Sequence, residues 1–302
     1  MRFFRIRETP VENITFLAMM VAFDAILSLV ATLLPFSGLF IMLIAPLISA
    51  SVSLFCKKRY IPIYILGAVG ISIAVTAWDF MNTLFYLIPA VCTGSLYGFL
   101  WKNRLPSSAN LFASSVLSFC FFLLSLWLLR LIFDQKDMVE VLLSFIGRGG
   151  DPYARDIFTL FALGYSFAQM GITHAFLVYE LHKLGVEEVE EGRFASFHSW
   201  IAILFLSLSL ILGIFYAKVG YFFLGAGIFW MVYSLCSIFP DVRPLTATLL
   251  VFSVFAGVLC FAALYRYMPN QSGLLLLSIP CALASLFSWL NRFLPKKKAK
   301  ID

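Results

Sequence analysis

The strongest constraint on this chain is a succession of apolar runs separated by short polar breaks. The first of them, from Asn13 to Leu34, holds a single acid, Asp24. A helix started at Asn13 carries Asp24 roughly 16 Å along its axis, near the middle of a hydrocarbon layer about 30 Å thick. A carboxylate at that depth costs about 2.5–3.5 kcal/mol on insertion scales. Asp24 is therefore expected to face protein or water, with Ser28, one turn on, sharing its face. The same run places Ala18, Ala22 and Ala25 at i, i+4 and i+7, a stripe of small residues that lets another helix approach closely. Asp24 lies about 200° around the helix from Ala22, so the acid and the alanine stripe should meet different neighbours.

Hydrophobic residues make up 62% of the 302 positions and charged residues 13%. That balance excludes a water-soluble domain and predicts a polytopic, all-α transmembrane helical bundle. Ten spans are expected, over about 13–34, 37–56, 61–77, 80–101, 108–133, 157–182, 199–217, 219–239, 245–265 and 272–292. The first is expected to be a retained helix, because it is longer than a signal-peptide core, contains Asp24 and is followed at once by a second span. With the N-terminus cytoplasmic, sixteen of the 22 Lys and Arg fall on the inner side, among them Lys57, Lys58, Arg59, Lys102, Arg104 and the terminal PKKKAK. This positive-inside bias fits an even span count with both termini cytoplasmic. It also assigns the basic tail to anionic lipid rather than to nucleic acid.

Two connections stand out. Between 134 and 156, Met138, Val141, Leu142 and Phe145 recur at helical spacing opposite Asp137, Glu140 and Ser144, which predicts a short amphipathic helix ended by the turn Gly147 to Pro152. The sixth run ends in an acidic cytoplasmic segment, Glu187, Glu188, Glu190 and Glu191. These features divide the chain into a six-span bundle at 1–183, an acidic linker at 184–197 and a four-span bundle with a basic tail at 198–302. The last four runs are rich in Phe, Leu and Ser with almost no intramembrane charge, the character of a scaffold.

Enzymatic chemistry finds little purchase. No GxxxxGK[ST] phosphate cradle, GxSxG serine or HExxH helix occurs, and His174, His182 and His198 lack metal-ligand spacing. The segment EEVEEGR places Arg193 one residue too late for an EExxxR protease motif. The six cysteines form no CxxC and are read as small apolar side chains. No catalytic residue, metal or cofactor is expected.

What remains are polar groups that a bilayer must satisfy or use. Trp78, Asp79 and Asn82 fall together at the expected outer end of spans three and four, with Tyr86 one turn on. Interfacial anchoring accounts for the aromatics, and an acid, an amide and aromatics at an outer mouth also suit a small polar solute. Span six carries Ser166, Gln169, Thr173 and His174, a polar stripe suited to interhelical hydrogen bonds or to a cavity wall. Gly94 and Gly98 form a GxxxG, the signature of a close helix contact.

Residues 13 to about 183 resemble the membrane-embedded S-components of energy-coupling-factor (ECF) vitamin transporters. The likeness lies in six spans, the alanine-striped AMMVAFDA with Ala18 and Ala22, the proline-marked turn LLPFSG, and GSLYGFLWKNR closing the fourth span before a basic loop. Over its whole length the chain is similar to the YybS-like family of bacterial membrane proteins related to those S-components. The resemblance implies a multi-pass protein of the bacterial plasma membrane whose Ala18–Ala22 face packs on an ECF-type coupling subunit served by separate ATPases. It also implies a small-molecule solute captured at an outer mouth that includes Trp78, Asp79, Asn82, Tyr153 and Arg155. S-components usually stop after six spans, so the four further spans depart from the pattern.

The leading expectation is thus the substrate-binding subunit of a small-nutrient importer. A membrane scaffold for envelope assembly or cell division, recruiting partners through the acidic patch and basic tail, is the second. A secondary carrier in which Asp24 takes up protons is the third.

Overall fold

The structure, a computed structural model, describes residues 7–34, 37–78, 83–133, 138–145, 147, 149–183, 194, 197–238 and 273–291. Helices joined by short turns make up these residues, and none of them lies in a strand. Seven helices among them are long and apolar enough to cross a membrane, which places the chain among membrane proteins. Of the ten expected spans, 245–265 lies outside the described residues, as do the acidic linker residues Glu187 to Glu191 and the basic tail.

Two compact units emerge: Met1–Phe145 with Gly164–Glu190, and Ile146–Leu163 with Glu191–Asp302. The first begins with α1 (Pro10–Leu33), α2 (Ser37–Phe55) and α3 (Ile61–Val75). A π-helical turn, Thr83–Leu87, leads into α4 (Ile88–Lys102), followed by α5 (Ser107–Phe133) and the short α6 (Met138–Phe145). Helix α6 matches the amphipathic segment expected there. Gly147 and Gly150, both at positive φ (72° and 77°), make the turn beyond it.

Helix α1 starts with a capping box. Thr9 Oγ1 accepts from the Glu12 N–H, and Glu12 Oε2 accepts from the Thr9 N–H. Pro10 sits in the first turn, where its missing N–H costs nothing. Asn13, fully buried, ties this start to the end of α2: its Nδ2 donates to the carbonyls of Arg7 and Thr9, and its Oδ1 accepts from the Lys57 N–H at 3.0 Å. The Arg7 N–H donates to Phe55 O, and the Arg7 guanidinium lies over the Phe16 ring. Helices α1 and α2 are therefore antiparallel, and α3, which begins six residues after α2, runs alongside α1 in the same direction.

Helices α2 and α4 pack through their backbones. A Cβ added at Gly94 would fall on the carbonyl oxygen of Pro46 and on Ser49 Oγ, and would lie 2.6 Å from Pro46 Cα; one at Gly98 would lie 2.8 Å from Ser53 Cβ. The GxxxG thus works as its spacing predicts. Pro46, inside α2, cannot donate to the helix ladder. Nearby, Ser49 Oγ donates to carbonyls of its own turn and lies 3.3 Å from Ala90 O of α4.

Helix α7 (Pro152–Lys183) divides at residue 163, its earlier part belonging to the second unit. That unit also holds α8 (His198–Phe215), α9 (Ala217–Ile238) and, after a 3-10 turn at Gly273–Leu277, α10 (Ser278–Leu290). Helices α8 and α9 form a hairpin whose backbones nearly touch. A Cβ at Gly220 would lie 2.5 Å from Gly213 Cα. Serine hydroxyls join the three helices: Ser199 with Ser234, Ser234 with Ser288 (each 2.6 Å), and Ser278 with Ser209. The scaffold is held by hydrogen bonds and close packing, as apolar helices in lipid require. Gly220→Val is accordingly expected to lower the unfolding temperature of the purified chain by several degrees, read from the loss of helical circular dichroism on heating.

Candidate functional site

Asp24 is the polar centre of the first unit. It is fully buried, and Oδ2 accepts a 2.5 Å hydrogen bond from the Tyr64 hydroxyl of α3, itself fully buried. Oδ1 has no hydrogen-bond partner, and neither has the Oγ of Ser28 or of Ser72. Among the described residues no Lys, Arg or His pairs with the carboxylate.

The register of α1 against α3 brings these groups to similar depth. Val21 Cγ2 is the nearest neighbour of a Cβ built at Gly67, at 3.5 Å. Counting from that contact, Asp24 and Ser28 lie about 4.5 and 10.5 Å along α1, and Ser72 about 7.5 Å along α3. Ser72 therefore stands at a height between the other two, and all three are at most 1% exposed. One turn beyond, the Thr76 and Thr83 hydroxyls meet at 2.6 Å, both buried. Tyr64, Ala68, Ser72 and Thr76 form one buried stripe of α3, capped by the π-helical turn, a distortion frequent at functional sites.

The opposite face of α1 is different in kind. Ala18 and Ala22 are exposed. Together with Ala25 and Gly67 they line an apolar groove of about 660 Å³ between α1 and α3, with Ile14, Ile26, Ile63 and Ile71 among its walls. The acid and the alanine stripe thus look at different surroundings.

A second polar cluster joins α4, α5 and the later part of α7. The Tyr97 hydroxyl shares a 2.5 Å hydrogen bond with His174 Nδ1, and Trp101 packs against both rings. Ser118 donates to Gln169 Oε1 at 2.8 Å. Asn110 Nδ2 donates to the Tyr97 carbonyl, and Thr173 to the Gln169 carbonyl. Gln169 and His174 are thus engaged in interhelical bonds.

The expected outer mouth is only partly in view. Trp78 is 66% exposed and Tyr86 is half-buried. Asp79 and Asn82 lie outside the described residues, as does the side chain of Tyr153. Arg155 is exposed in the second unit, where its N–H donates to Asp151 O.

Tyr64 and Ser72 were not singled out by sequence reasoning. The signal available was the i, i+4 repeat Tyr64, Ala68, Ser72, Thr76 in an otherwise apolar run, a polar stripe of the kind noticed in span six.

No protein-family model matches this chain, and no curated protein or solved structure matches it. The likeness to S-components rests on the sequence features alone.

Proposed function

We propose that this chain is the membrane-embedded solute-binding subunit of a small-nutrient importer whose energy comes from ATPases on separate chains. The observation that carries this reading is the outward alanine face of α1. Ala18 and Ala22 lie exposed in a groove floored by small residues, while every charged or hydroxyl group of the same helix between Asn13 and Ser28, Thr15 aside, turns inward. A membrane helix that meets only lipid has no need of such a depression, whereas a partner helix packs into one closely. The chain itself carries no nucleotide cradle, so the energy source would be a partner reached through that face.

Extraction in mild detergent through an affinity tag is expected to bring down a coupling membrane protein together with two ATPases. Ala18→Leu with Ala22→Leu should fill the groove and lose those partners. Because both positions are exposed, the isolated variant should unfold within a few degrees of the native chain. Absence of such partners from the native preparation, or their retention by the double variant, overturns the reading.

A further inference from the structure

We propose that Asp24 Oδ1, Ser28 Oγ and Ser72 Oγ form a binding site for one dehydrated monovalent metal cation of the sodium class inside the first unit. Three polar side chains, each at least 99% buried and each with an oxygen that bonds to nothing, stand at neighbouring depths on two adjacent, parallel helices. One unpartnered hydroxyl is common in a membrane helix. A carboxylate oxygen and two hydroxyls without partners, within little more than one helical turn of the same helix pair, are a donor set without its acceptor.

The chemistry of the set selects the ligand. All donors are oxygens, which suit hard cations rather than transition metals. A buried carboxylate must be paired, neutralised or metal-bound, and no basic side chain among the described residues pairs with Asp24. One carboxylate balances a single positive charge, whereas a divalent ion would leave a net charge inside a low-dielectric bundle and would hold its waters more firmly. Tyr64 donates to the other carboxylate oxygen and thereby orients Oδ1, as second-shell groups commonly do for metal ligands. The hydroxyl pair Thr76 and Thr83 continues the polar stripe of α3 one turn beyond Ser72. This site does not depend on the importer reading.

The test uses the full chain purified in detergent. Radioactive sodium uptake is measured by equilibrium dialysis, and unfolding temperature is recorded in sodium, potassium, lithium and choline chloride at matched ionic strength. The expected result is saturable uptake of one sodium per chain and an unfolding temperature that rises with sodium but not with choline. Asp24→Asn, nearly isosteric, should abolish both effects. Ser28→Ala with Ser72→Ala should weaken sodium binding about tenfold or more while unfolding in choline as the native chain does. The proposal is overturned by native protein that takes up neither sodium nor another alkali cation, as it would if water or a proton satisfied these oxygens. Sodium binding left unchanged by Asp24→Asn overturns it equally. Partner capture is read in a separate experiment, so failure of one idea is distinguishable from failure of the other.

Discussion

Gly94→Leu is expected to prevent the first unit from reaching its native packing. Even the single carbon of Gly94→Ala would have to occupy space held by the Pro46 carbonyl and Ser49 Oγ. Two of the obstacles belong to backbone, so relief requires α2 and α4 to separate rather than one side chain to turn. Overpacking of this kind costs about 1–3 kcal/mol for small additions, and leucine adds three further carbons. Gly98→Ala, against the Ala50 carbonyl and Ser53 Cβ, should behave like Gly94→Ala. Gly70→Ala supplies the control, since nothing lies within 4 Å of a Cβ there, and alanine is the better helix former by about 1 kcal/mol. Denaturant titration of helical circular dichroism in detergent should rank the alanine variants with Gly70→Ala at or above the native chain and the other two well below it. Equal stability for Gly94→Ala and Gly70→Ala would show that α2 and α4 do not meet as described.

Tyr64→Phe should produce the second large effect. It removes the hydroxyl that donates to Asp24 Oδ2 and leaves a buried carboxyl group with neither oxygen bonded to protein. Losing a hydrogen bond to a charged group, with the acceptor left buried, costs about 1.5–3 kcal/mol. Asp24→Ala with Tyr64→Phe should cost less than the sum of the two single changes, because either substitution alone already ends the same hydrogen bond. Additive costs in the double-mutant cycle would mean that the pair is not coupled. Ser49→Ala is a poor substitute for this test, because its hydroxyl bonds to the carbonyls of Ala45, Pro46 and Ala90 and not to the acid.

The candidate site was half legible beforehand. Asp24 announces itself because one acid in a long apolar run has a depth that helix rise alone supplies, and periodicity says which face it shares with Ser28. The glycine pair was legible for a similar reason: GxxxG is a local spacing whose consequence, close approach, is nearly independent of the partner. Tyr64 was hidden because forty residues separate it from Asp24, and no local pattern states which residue of a third helix will lie opposite the first. Gln169 and His174 illustrate the converse. Their stripe was visible, but its partners Ser118, on α5, and Tyr97, on α4, could be identified only across helix interfaces.

By itself the sequence determined the class of protein, the helical state of the apolar runs among the described residues, the burial face of Asp24 and the existence of a small-residue face on the first helix. Each follows from composition or from periods of three to four residues, quantities that a single segment contains. Tertiary structure alone decided that Tyr64 caps the acid, that Ser72 stands at a height between Asp24 and Ser28, and that Gly67 deepens the groove beside Ala18 and Ala22. Those facts depend on the relative direction and register of α1 and α3. In an apolar surrounding, many registers bury similar area, and what selects among them is the fit of particular side chains across the interface.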